Sequence, residues 1–188
     1  MEADGVRQLG PLAVLAGVWE GDKGADEAPS DDRGTEQNRF RERVTFAPIG
    51  VVRNHEQELY GLRYATVAHR LGEADPFHEE VGYWLWDPGE RQVRRCFIVP
   101  RGVAVLAGGT VEPTATAFTL VAEGGPETYG ICSNRFLTRE FKTVRYELTV
   151  TIFDRNRFHY KEDTQLRMPG RKDLFHHTDE NTLTRVST

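Results

Sequence analysis

The sequence contains few cysteines and none of the short motifs that mark most enzyme classes. Its two cysteines, Cys96 and Cys132, lie in different segments without a metal-ligand spacing, which predicts buried free thiols in a cytoplasmic protein. No G-x-S-x-G elbow, H-E-x-x-H pair or phosphate-binding glycine loop occurs. Catalysis by side chains alone is therefore not predicted, and any enzyme activity would depend on a cofactor.

Basic blocks and long apolar runs are also missing. The formal net charge is −5, and the sequence contains no cluster of lysine or arginine that could bind phosphates. We therefore expect no nucleic-acid partner. The apolar stretch 12–18 is too short to span a bilayer, and the acidic opening 1–4 differs from the basic start of a secretory signal. These features predict a cytoplasmic protein without membrane insertion.

The sequence does contain about ten short segments in which apolar and polar residues alternate, separated by glycine and proline turns. This pattern is typical of antiparallel strands with one buried and one solvent-exposed face. The lack of long amphipathic helices disfavours a parallel α/β sheet. We predict an all-β fold, either a sandwich or a closed barrel with a ligand cavity. The segments are 18–21, 41–49, 60–66, 81–86, 93–99, 103–106, 117–122, 141–153, 157–166 and 174–186.

Two stretches near the start differ from this pattern. Residues 10–17 predict one or two helical turns, with Pro11 near the beginning and a glycine at the end. Residues 22–38 are polar and acidic and predict a long loop, for which we hypothesise a role as a cover for the barrel mouth.

The stretch from Gly17 to Gly24 resembles the opening motif of the nitrobindin family, G-x-W-x-G-x-G-x-G-x-Y-P. Gly17, Trp19 and Gly21 match, whereas Lys23 occupies one glycine position. The motif's proline has a counterpart further along the chain, but alanine replaces the tyrosine before it. Three other segments fit the family in position, so the resemblance covers nearly the whole chain. They are 77–84, 98–102 and 181–186.

The resemblance implies one domain over residues 1–188, folded as an antiparallel, ten-stranded, calycin-like barrel similar to lipocalins and fatty-acid-binding proteins. Trp19 would plug the closed end of this barrel beneath the short N-terminal helix. In nitrobindins the cavity holds a b-type heme, bound through one histidine on the last strand. The resemblance therefore implies a heme cofactor, provided that the last strand contains the histidine that binds its iron.

The last strand departs from the family at the heme ligand. Aligning Leu183 and Arg185 with the family places Thr178 at the position of the iron-binding histidine, and a threonine hydroxyl is a poor ligand for heme iron. His177 is one residue away, which on a strand means the opposite face unless a bulge intervenes. His176 has the parity of Thr178 but lies further along. His177 and His176 are therefore the candidate heme ligands.

The spacing of the last strand also places His177, Asp179 and Asn181 on one face. Such a group is compatible with a metal site other than heme iron, but three polar groups on one strand face are more typical of a solvated surface. We therefore expect no separate metal site.

Arginines bear on the choice of ligand. An inward arginine is costly unless it is paired, so one facing the cavity would imply an acidic ligand. The sequence offers Arg135, Arg145 and Arg157 as candidates and leaves open which of them faces inward.

Two functional hypotheses follow. The first is a binding barrel that holds a small apolar or acidic molecule without tight heme, and the second is a ferric heme protein. The resemblance implies that the second would bind nitric oxide and isomerise peroxynitrite to nitrate. A homodimer is compatible with either.

Overall fold

The computed structural model describes residues 8–187, which form a closed β-barrel with two short helices. A 3-10 helix spans Gly10–Leu15, and helix α1 spans Arg135–Glu140. The strands are β1 (Gly17–Pro29), β2 (Thr35–Asn54), β3 (Gln57–Arg70), β4 (His78–Asp87), β5 (Gln92–Val99), β6 (Val103–Thr110), β7 (Ala117–Glu123), β8 (Ile131–Ser133), β9 (Lys142–Asp154), β10 (Arg157–Arg167) and β11 (Phe175–Ser187).

The strands form one antiparallel sheet that closes on itself. Their order is β5-β4-β3-β2-β1-β11-β10-β9-β7-β6, and pairing between β5 and β6 completes the ring. The short strand β8 adds to β6 outside this ring of ten. Closure leaves the ten strands without a free edge, and it confirms the ten-stranded calycin-like barrel that the resemblance implied.

One end of the barrel is sealed by the N-terminal helix and Trp19. Leu12, Leu15 and Trp19 are fully buried, and the Trp19 indole N–H donates a 2.7 Å hydrogen bond to the Leu15 carbonyl. The Phe158 and Trp19 rings pack in a T-shaped arrangement with a centroid distance of 4.8 Å. The Arg185 guanidinium lies over the indole, 4.2 Å from its centroid, and donates to two carbonyl groups at the end of the helix.

The expectation of a long loop over residues 22–38 is wrong. Strand β1 continues to Pro29 and β2 begins at Thr35, so the connection is only the turn 30–34. The inward positions of this hairpin include Gly24, Asp26 and Ala28, none of which is a large apolar residue. A bulge between Gly21 and Gly24 also breaks the pairing of β1 with β2. Apolar alternation was therefore absent from the sequence although the strand is present.

Candidate ligand-binding cavity

The barrel encloses a cavity of about 710 Å³ that mixes apolar and ionisable walls. Its apolar lining includes Phe40, Val44, Phe46, Trp84, Phe97, Val105, Leu148 and Phe158. Its polar lining includes Asp26, Glu42, Tyr64, Thr66, His78, Glu80, Arg95, Tyr146, Tyr160, Glu162, His177 and Asp179. An apolar pocket with a few convergent polar groups is typical of a small-molecule site, and this cavity is more heavily charged than usual.

Arg95 on β5 is buried at the centre of the most extensive polar network. Its guanidinium forms salt bridges with Glu80 on β4 and Glu162 on β10, and it donates to the hydroxyl groups of Tyr146 and Tyr64. The Tyr64 hydroxyl in turn donates to Glu80 at 2.9 Å. Burial alone would lower the pKa of Arg95, but the charges of Glu162 and Glu80 outweigh it and hold the pKa above its ordinary value. Arg95 is therefore a paired cation.

Glu42 on β2 is held by neutral donors instead of a cation. Its Oε1 accepts hydrogen bonds from the Tyr160 hydroxyl and from Asn181 Nδ2, both at 2.8 Å, and Thr66 Oγ1 lies 3.4 Å from Oε2. Burial raises the pKa of Glu42 to about 7 although these hydrogen bonds oppose the shift, and the charge of Glu162 adds to it. Glu42 thus titrates near neutral pH.

Two glycines of the motif make room for cavity side chains. A Cβ on Gly21 would lie 2.8 Å from Nδ2 of Asn181, and a Cβ on Gly24 would lie 2.5 Å from the ring of Phe40. Neither glycine has a positive φ. Their role is therefore to leave space for a neighbour.

His177 faces the cavity beside two carboxylates. Its Nε2 lies 2.8 Å from Oδ1 of Asp26 on β1, and Asn38 Nδ2 donates to the other Asp26 oxygen at 2.9 Å. Burial tends to raise the pKa of Asp26, but the hydrogen bond and charge of His177, with the hydrogen bond of Asn38, hold that pKa below its ordinary value. Asp179 lies two residues further along the same strand face, and its pKa is raised well above the ordinary value by burial and then by the charges of Glu162 and Glu42.

His78 on β4 lines the cavity as well. Its Nε2 lies 3.2 Å from Oε1 of Glu80. Burial tends to lower the pKa of His78, but the hydrogen bond and charge of Glu80 outweigh burial and raise it.

The other candidate positions of the last strand lie outside this cavity. His176 has 56% of its side chain exposed and is hydrogen-bonded to Asp163 at 2.8 Å. Thr178 shares its outward parity and lies in a smaller depression between β1 and β11. The expectation that His177, Asp179 and Asn181 form a solvated face is wrong, because His177 and Asp179 line the cavity and Asn181 is buried against Glu42.

The arginines that line the cavity, Arg70, Arg95 and Arg101, are not among those considered from the sequence, and of the three only Arg95 is buried. Arg135 and Arg157 are exposed, and Arg145 pairs with Glu123 and Glu147 on the outer surface. The sequence signal for Arg95 was its parity with the apolar residues of β5, since Arg95 alternates with them between Val93 and Val99.

Neither cysteine lines the cavity. Cys96 is half-buried, and burial raises the pKa of its thiol, whereas Cys132 is exposed, so the expectation of two buried thiols is wrong for Cys132. Within residues 8–187 no group of three or more histidine, cysteine or acidic side chains is placed to hold a metal ion. Over the same residues, no helix has both the length and the apolar character needed to cross a membrane.

The residues around His177 do not fit a heme held by that histidine. With Nε2 bonded to Asp26, only Nδ1 is left for a metal. A porphyrin ring is apolar, so its insertion beside His177 would desolvate the carboxyl group of Asp179 without supplying a hydrogen-bonding or ionic partner for it. The polar wall therefore argues against the group that the resemblance implies.

Comparison with known proteins places the chain in a family. The model for the THAP4-like, heme-binding beta-barrel domain matches residues 8–185. The crystal structure of Rv2717c from M. tuberculosis superposes with a TM-score of 0.66 at 23% identity, covering 98% of this chain and 99% of that one, which shows a shared fold. No curated protein sequence matches the chain. The protein is a ligand-binding barrel, and it belongs to the THAP4-like heme-binding beta-barrel domain family, the nitrobindin family.

Proposed function

We propose that this protein binds a small molecule inside its barrel and does so without tight heme. The observation that carries the proposal is the Arg95 network, which places paired charges and two tyrosine hydroxyls in the middle of the cavity. An apolar macrocycle would have to displace or desolvate these groups. A smaller ligand can contact the apolar wall and leave the network intact.

The apolar wall supports a ligand with a hydrophobic part. Phe46 and Trp84 pack edge to face at 5.8 Å, and both line the cavity together with Phe97. Burying apolar ligand surface against such a wall contributes roughly 25 cal/mol per Å². An acidic ligand has less support, because the buried arginine of the lining, Arg95, already pairs with two carboxylates, whereas Arg101 is exposed.

A second candidate function is that of a ferric heme protein that binds nitric oxide and isomerises peroxynitrite. One observation favours it, namely that His177 points into the cavity despite the parity expected from the sequence. The carboxylates beside His177 place this function second.

Titration with hemin separates the two functions. We expect no stoichiometric Soret shift in the purified protein and no difference between wild type and His177→Ala. His176→Ala is the matched control, since His176 is exposed and lies outside the cavity. Stoichiometric heme binding that His177→Ala abolishes and His176→Ala preserves would establish the heme function instead.

The binding function needs its own positive test. Nile red, a neutral apolar probe, should bind with a one-to-one stoichiometry and fluoresce. Ala68→Phe, which adds a ring inside the cavity, should weaken this binding, whereas Ala65→Phe on the outer face of the same strand should not. Equal binding by both variants would show that the probe does not enter the barrel.

A further inference from the structure

Three acidic residues lie side by side on three neighbouring strands and face the cavity. Asp179 on β11 is paired directly with Asp26 on β1 and with Glu162 on β10. Like charges opposite each other destabilise a sheet unless they are compensated. Asp26 is compensated by His177 and Glu162 by Arg95.

Asp179 lacks such compensation. Across residues 8–187 no salt bridge and no side-chain hydrogen bond reaches its carboxylate. Glu42, whose charge also acts on Asp179, has hydrogen-bond donors but no cation within the same described residues. An ionised carboxylate in a confined, low-dielectric space is costly until it is protonated or paired. The described residues therefore supply no cation to either carboxyl group, and a cation from outside the protein would favour the ionised form of both.

The walls around this charge are aromatic and contain one unsatisfied donor. Trp84 is 4% exposed, lines the cavity, and its Nε1–H has no acceptor in the part of the chain that the structure describes. Phe46, Phe158 and Tyr160 line the same space. Aromatic faces attract organic cations, and an oxygen atom elsewhere on such an occupant could accept from Trp84, since an ammonium nitrogen has no lone pair.

We propose that the ligand is an organic cation, an amine protonated at neutral pH, whose ammonium group pairs with Asp179 and Glu42 while its apolar part lies along the aromatic wall. The inference rests on the proposed function, because it names the class of small molecule that the barrel holds. An ammonium supplies hydrogen-bond donors and one positive charge, which is what the two carboxylates lack. An anion of the same size would face eight acidic side chains around the cavity, against three arginines.

Calorimetric titration with three eight-carbon probes tests the inference. Octylammonium, octanol and octanoate carry cationic, neutral and anionic head groups, respectively, at about pH 8. We expect octylammonium to bind about tenfold or more tightly than the other two, as for one charge-assisted contact. Asp179→Asn and Glu42→Gln should remove this preference, so that octylammonium and octanol bind each variant with similar affinity. Glu180→Gln, which changes an exposed carboxylate beside Asp179, should keep it.

The outcomes separate the ligand class from the proposed function. If octanol or octanoate binds as tightly as octylammonium, or if the preference survives both cavity substitutions, the inference is wrong but the barrel remains a small-molecule binder. If none of the three probes binds and Nile red also fails, the inference and the proposed function are both wrong. Circular dichroism and thermal melting of each variant establish that it is folded before binding is compared.

Discussion

Asn181 on β11 donates a 2.8 Å hydrogen bond to Glu42 on β2, although strand β1 runs between them. The contact passes over Gly21, where a Cβ would lie 2.8 Å from the amide nitrogen of Asn181. Gly21 pairs directly with Glu42 across the β1–β2 ladder. The missing side chain of Gly21 therefore lets two buried residues, Asn181 and Glu42, meet across an intervening strand.

Gly21→Ala should destabilise the protein by about 1 to 3 kcal/mol, because the new Cβ would lie 2.8 Å from the Thr182 carbonyl oxygen and would push Asn181 away from Glu42. Urea denaturation at neutral pH measures the change in the free energy of unfolding. Gly89→Ala is the matched control, since a Cβ there would meet its nearest neighbour at an ordinary 3.5 Å. Equal stabilities for the two variants would show that Asn181 adjusts without loss.

Glu42→Gln should change how stability depends on pH. The folded pKa of about 7 is above the ordinary 4.5, so the folded state holds a proton that the unfolded state releases. This contribution to stability is fully present below about pH 4.5 and is lost as the pH rises through about 7. The amide keeps an acceptor for Tyr160 and Asn181 and is never ionised. The free energy of unfolding of the variant should therefore increase relative to that of wild type as the pH rises, by up to about 3 kcal/mol near pH 8. Denaturation curves at several pH values measure the difference, and a constant offset would contradict the prediction.

Arg95→Met should destabilise the barrel by about 3 to 5 kcal/mol, because it leaves Glu80 and Glu162 buried without their cation. Replacing both glutamates by glutamine in the same protein should recover most of the loss. Arg91→Met, at an exposed salt bridge with Glu112, should have little effect. Chemical denaturation of the three variants makes the comparison. Failure of the triple variant to regain stability would mean that Arg95 acts mainly through packing.

Arg33→Ala should loosen the turn 30–34 at the cavity rim. Arg33 reaches helix α1, where it bonds to Glu140 at 2.6 Å, and it lies 5.2 Å from the centroid of the Phe141 ring just beyond. A protease that cleaves after acidic residues should then cut the turn several-fold faster. Arg53→Ala, which removes an exposed salt bridge in the β2–β3 hairpin, is the control and should not change cleavage at 30–34. Unchanged cleavage in Arg33→Ala would show that the turn is held by its backbone alone.

Periodicity predicted the strands whose inward residues are large and apolar. Strand β9, with Tyr146, Leu148 and Val150 on one buried face, is an example, and so are Trp84 and Trp86 on β4. The method failed for the second half of β1, where the inward residues are small or acidic. Hydrogen bonds to adjacent strands can hold a segment in an extended conformation even when its sequence lacks the apolar alternation by which strands are predicted.

The candidate site was less predictable than the fold. Arg95 follows Arg94 in the sequence, and only Arg95 is at the centre of the cavity, whereas Arg94 pairs with Asp87. Composition could not distinguish these neighbours, because a shift of one residue in register exchanges the inner and outer faces of a strand. Register likewise decides whether His177 or its neighbour Thr178 faces the cavity, because consecutive residues of a strand point to opposite faces.

The sequence by itself determined an all-β chain of alternating strands and, through Gly17, Trp19 and Gly21, its family. Those features are local, since the alternation of apolar and polar residues and the glycine–tryptophan motif of the first strand can each be recognised within a few consecutive residues. Only the tertiary structure decided that Asp26, Glu162 and Asp179 lie in one row inside the barrel. These residues are far apart along the chain and meet because β11 pairs with both β1 and β10, so the charge that defines the cavity exists only once the barrel has closed.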